Sequence, residues 1–196
     1  PTREMKPVGF EHLQMMTDLL HRVRRVLDEV SAARGRPLLL AARTPFSVCD
    51  CLYIGVDLRR WLEEQLLDVL IPGGGAESAL TESFADVITL GHDYGVPVYP
   101  CIAWGFCSQW SFLDLAKGRH RTFDGWIDAL KAEKAFFADA INSWSGTLAA
   151  WRGVASNLFH AGADGIYVFN GFFADSEIWN DIGDLQTLAG KNKVFG

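Results

Sequence analysis

The sequence is poor in positive charge, in cysteine and in long apolar runs, and each shortage argues against a class of function. Eighteen Lys and Arg stand against 24 Asp and Glu, giving a formal charge of −6 and a pI near 5.3. Binding a phosphate backbone needs basic side chains that release condensed counterions, so no nucleic-acid partner is expected. The densest basic run, Arg22, Arg24 and Arg25, leads into Asp28 and Glu29 and reads as the solvated face of a helix. No apolar run reaches the ~18 residues of a membrane span, so no membrane partner is expected. The segment from Pro1 to Lys6 is polar, lacks an initiator Met and shows no signal peptide. The chain therefore reads as trimmed or partial, which leaves its address open, a secreted or periplasmic one included.

The cysteines are four: Cys49, Cys51, Cys101 and Cys107. Cys49-x-Cys51 is tighter than a zinc knuckle, and the five histidines are scattered without helical metal-site spacing. No metal and no cofactor are expected. The thiols read as free, with a disulfide between the two pairs left open for an exported protein. Gly73-Gly74-Gly75 lacks the G-x-G-x-x-G spacing of a dinucleotide loop and runs into acidic Glu77, which argues against a nucleotide.

What is present is apolar material in a repeating order. Hydrophobic residues make up 49% of the 196 residues, enough for one well-buried domain. From Gly9 to Arg34, Phe10, Leu13, Met16, Leu20, Val23, Leu27 and Val30 recur at helical spacing, and Gly35 stands where a helix would end. Leu38 to Ala42 is a continuous apolar run, the pattern of a parallel strand covered on both faces. Helix and strand then alternate. Leu58–Gln65 is predicted helical with Asp57 as N-cap, and Leu67–Ile71 is the next strand. A helix begins near Thr81 and closes at Gly95, before a strand over Val96–Ile102. Gly146–His160 is the next helix, and a turn at Gly162–Gly165 leads to the strand Ile166–Phe169. Such alternation points to βαβ units and a parallel sheet, either a barrel or a doubly wound sheet.

Several segments carry a resemblance. Arg36-Pro37-Leu38-Leu39-Leu40-Ala41-Ala42-Arg43, Ile54-Gly55-Val56-Asp57 and Trp61-Leu62-Glu63 resemble the bacterial glycosyl hydrolase-like family 10 group. So do Leu90 to Pro100, Ala161 to Asn170 and the closing stretch from Gly183 to Val194. The resemblance covers nearly the whole chain but only the second half of that family's barrel. It implies an α/β fold made of strands 5 to 8, half of a TIM-type (β/α)₈ barrel, as one partial domain over 1–196 with an inserted helical segment at about 103–145. It further implies a glycoside hydrolase acting on a polysaccharide, with its main catalytic carboxylates in an N-terminal half. The alternative is a non-catalytic carbohydrate-binding or structural barrel fragment. Unlike xylanase-type relatives, the strand Val98 to Trp104 ends without a carboxylate.

In a barrel the chemistry sits at the carboxyl ends of the strands. Glu77 and Asp175 are the local acid–base candidates, because each lies in a loop after a strand; as lone carboxylates they equally suit helix caps or solvated charges. Arg43 emerges after five apolar residues, able to fork hydrogen bonds to a hydroxyl, a uronate or a sulfate, or to brace the rim with an internal ion pair. Asn170 suits a vicinal diol or a turn cap. Tyr99, Trp104 and Trp110 offer ring faces on which sugar C–H groups stack, while Trp126 and Trp151 read as local core. The expected partner is an oligosaccharide or polysaccharide. Self-association, or pairing with an N-terminal half-barrel, is the other expectation, since open inner strand faces would leave apolar surface exposed.

Overall fold

The computed structural model describes residues 8–73, 84–103, 144–169 and 177–193. They fall in two compact units, one of residues 8–73, 84–101 and 158–167, the other of 102–103, 144–157, 168–169 and 177–193.

The first unit begins with α1, Phe10–Arg34, closed by Gly35 in the left-handed region at φ 68°. A side chain at that position would strain the backbone, which is why glycine ends the helix. Only one stripe of α1 is covered. Thr17 is fully buried, while Leu13, Leu20 and Leu27 are half-buried. Arg24 fastens this helix to the first strands, donating to Asp68 at 2.6 Å and to the Leu38 carbonyl at 3.0 Å. The same Asp68 oxygen accepts the Leu40 N–H at 2.6 Å.

Strand β1, Ala41–Thr44, pairs in parallel with β2, Val69–Pro72, in the register Ala41 to Val69 and Arg43 to Ile71. Between them lie two short helices with side-chain caps. Ser47 starts α2, Val48–Tyr53, by accepting the Asp50 N–H, and Asp57 starts α3, Leu58–Glu63, by accepting the Arg60 N–H. Helix α4, Ala85–Asp93, follows, and Gly95 ends its turn at φ 71°. Leu58, Trp61, Leu62, Leu70, Val87, Ile88 and Val98 are buried between these elements. Side chains of this kind stabilise by roughly 1.5–3 kcal/mol each when fully buried. Gly91 lets α4 approach, since a Cβ there would fall on Val98 Cγ2 and 3.0 Å from the Val96 carbonyl.

Strand β3, Cys101–Ala103, pairs with β4, Tyr167–Phe169. Helix α5, Trp144–His160, precedes β4, and Trp151 on it is wholly buried. Two short helices complete the second unit, α6 at Ile178–Asp181 and α7 at Leu185–Leu188. Buried Asp181 receives the Arg152 guanidinium at 2.6 Å on one oxygen and Lys191 Nζ at 2.6 Å on the other.

Half of a TIM-type barrel is not what these strands make. Helices dominate, and the described strands form two separate two-stranded parallel sheets. The strands are only three or four residues long. One isolated bridge, Leu70 to Val98, lies between them, and Pro97 and Pro100 flank it. Proline carries no N–H, so it breaks a ladder where a continuous strand over Val96–Ile102 would need donors. The run Leu38–Ala42 is not buried on both faces either: Ala41 is exposed and Leu39 is 68% exposed.

Candidate functional site

The carboxyl ends of β1 and β2 bring several groups together in the first unit. Arg43 and Thr44 end β1. Gly73 follows β2 and extends the pairing by donating its N–H to the Thr44 carbonyl at 2.8 Å. Gly73 lies hard against Cys101: a Cβ on it would overlap the Cys101 side chain and stand 3.3 Å from that residue's Cα. The exposed Arg43 guanidinium hydrogen-bonds the Cys101 sulfur. Just beyond β1, Phe46 meets Phe84 edge-on, with ring centroids 5.7 Å apart and planes tilted by 58°. Phe46 is half-buried, and Phe84 is buried beneath it.

Two thiols occupy this edge, and burial disfavours the thiolate of both. Burial pushes Cys51 up to about 11, against a hydrogen bond from Thr44 that favours the thiolate. Burial also raises Cys101, with Arg43 pulling part of the way back. The reactive species is the thiolate, so the raised values lower the reactivity of both sulfurs at neutral pH. Asp50 is the carboxylate nearest in sequence, and it is committed to its cap: the Ser47 hydroxyl donates to it at 2.7 Å. Cys49, Cys51 and Cys101 are free thiols. Among the described residues no group of His, Cys, Asp and Glu could hold a metal ion, and no helix is long and apolar enough to cross a membrane.

Of the expected site residues, the structure describes Arg43 and Tyr99. Arg43 is exposed at the strand end, as its position after the apolar run implied. Tyr99 is half-buried, donates its N–H to the Leu70 carbonyl at 2.8 Å and lays its ring against Gly165. The structure thus ties Arg43 to Cys101 and Tyr99 to the turn before β4, two different places. Glu77, Trp104, Trp110, Asn170 and Asp175 lie outside the described residues, as do Cys107 and Trp126. Trp151 is core, as expected.

Sequence reasoning missed Cys101 as a neighbour of Arg43, and Phe46 as an aromatic just beyond the strand end. The signal for Phe46 was its place two residues past β1, ahead of the Ser47-x-x-Asp50 cap. It also missed a pair at the opposite, amino end of the strands. Asp164 accepts the Val98 N–H at 2.8 Å and meets His92 Nε2 at 2.8 Å. Burial raises the Asp164 pKa, but these two hydrogen bonds outweigh it and hold the carboxyl below its ordinary value. The pair closes the α4 end onto the β4 turn, a structural job at the edge away from Arg43.

No protein-family model and no curated protein sequence matches this chain.

Proposed function

We propose that this chain binds a carbohydrate carrying acidic groups at the carboxyl edge of β1 and β2. The observation that carries the reading is the exposed Arg43 guanidinium at a parallel strand end, with Phe46 three residues on. Guanidinium donors match the geometry of a uronate or sulfate, and the face of an aromatic ring suits the C–H face of a sugar ring. Ligands of parallel α/β sheets gather outside the carboxyl ends of the strands, which is this edge.

Binding is favoured over hydrolysis because hydrolysis needs two carboxyls, about 5–5.5 Å apart for retention or roughly 6.5–9.5 Å for inversion. The carboxylate nearest Arg43 in sequence, Asp50, is occupied in the cap of α2. The hydrolase reading rests on the family resemblance, with Glu77 and Asp175 as its acid and base.

Calorimetric titration with neutral, uronic and sulfated oligosaccharides tests both. The acidic sugars should bind and the neutral ones bind weakly. Arg43→Ala should weaken binding by about 1.5–3 kcal/mol, the scale of a hydrogen bond to a charged group, and Arg43→Lys should not restore it. No binding to any glycan, or equal binding by Arg43→Ala, overturns the proposal. Release of reducing ends that is lost in Glu77→Gln or Asp175→Asn would establish hydrolysis instead.

A further inference from the structure

Among the described residues, one stripe of α1 carries exposed apolar side chains. Met15 is 67% exposed, Leu19 50% and Val26 55%. Helical geometry explains the stripe. His12, Met15, Leu19, Arg22, Val26 and Glu29 alternate in steps of three and four, the spacing of a coiled-coil seam. Leu13, Thr17, Leu20, Arg24 and Leu27, which face the body of the unit, lie on the opposite side of the helix. The helix has 25 residues and so runs about 37 Å, long enough for several seam layers.

We propose that this stripe pairs with the same stripe of a second copy, antiparallel, forming a symmetric homodimer. Charge decides the direction. A parallel pairing in register would set Arg22 on Arg22 and Glu29 on Glu29. The antiparallel pairing about the midpoint between Leu20 and His21 sets Met15 on Val26, Leu19 on the Arg22 stem and His12 on Glu29. It also places Asp18 beside Arg25 twice, by the two-fold axis. Both are exposed, and Arg25 has no ion-pair partner among the described residues. The stripe is therefore self-complementary in apolarity and charge.

Sedimentation velocity of the full chain over a range of concentrations tests this. The wild type should show a concentration-dependent dimer. Leu19→Glu should be monomeric with an unchanged circular dichroism spectrum, since Leu19 is half exposed on the stripe away from the covered side of the helix. Asp18→Arg and Arg25→Asp should each weaken association about tenfold, and the double reversal should restore it, because seam-flanking charges set partner choice. A monomer at all concentrations, a dimer indifferent to Leu19→Glu, or a double reversal no better than the singles overturns the proposal. So does a monomer that instead sediments with phosphatidylcholine–phosphatidylglycerol vesicles through the same stripe, which would assign it to a membrane surface.

Discussion

Trp61 donates its indole N–H to the Thr17 hydroxyl at 3.0 Å, and that hydroxyl donates in turn to the Leu13 carbonyl at 2.9 Å. The chain of two bonds joins α3 to α1 in a place where both side chains are buried. Thr17→Val keeps the shape and removes the acceptor. It should cost about 1–3 kcal/mol, the penalty of a buried donor left alone. Urea denaturation reads this. A change under 0.5 kcal/mol would show that the indole finds another acceptor.

The thiols should separate by environment. Cys49 is exposed, whereas burial raises both Cys51 and Cys101. Iodoacetamide at pH 8 should modify Cys49 before Cys51 and Cys101 and reach those two only in denaturant, as peptide mapping by mass spectrometry would show. Early labelling of Cys101 would mean that Arg43 outweighs burial there.

Gly91→Ala is the test of close approach. In an exposed helix alanine is better than glycine by roughly 1 kcal/mol. Here the added methyl lands on Val98, so the same change should destabilise by about 1–3 kcal/mol through overpacking. A thermal melt of the variant at or above the wild-type midpoint would contradict the packing of α4.

Asp181 governs acid stability in the second unit. Burial alone would raise its pKa, but Lys191 and Arg152 more than offset that, so it stays below the ordinary value. A depressed folded pKa stabilises fully above the unfolded value of about 3.9 and loses that contribution as pH falls through the folded one. Asp181→Asn should therefore cost about 1–3 kcal/mol at pH 7, by removing the buried carboxylate that Arg152 and the partly exposed Lys191 share. The gap from wild type should narrow below about pH 4. A gap constant from pH 7 to pH 2 would remove Asp181 from the acid transition.

Local chemistry was legible in the sequence where a short-range rule governs it. The periodicity of α1, its stop at Gly35 and the Asp57 cap all lie where spacing and side-chain type place them. Strand extents were not legible, because an apolar run does not say how many of its N–H groups find partners. Leu38–Ala42 reads as a buried strand, yet pairing begins at Ala41 and Leu39 faces out. Pro97 and Pro100 were visible, and their effect on the ladder outweighed the apolar pattern around them. The half-barrel rested on counting such runs as full strands. At the candidate site, Arg43 followed from its position after the run. Its neighbours Gly73 and Cys101 did not, since contact between residues so far apart in sequence is set by packing alone.

The latch at Asp164 has a consequence for how the chain is made. A nascent polypeptide that has emerged only as far as Cys101 already holds α1 to α4, but not the carboxylate that receives the Val98 N–H. Until residue 164 arrives, that donor lacks its partner and the seat of Gly162 beside Ile88 stays empty. Everything translated in between must be threaded out before the first unit can close, so its folding is tied to the slowest, most distant contact it makes. A ribosome-bound intermediate truncated before Ala161 should be far more open to protease at α4 than the same chain extended past Tyr167.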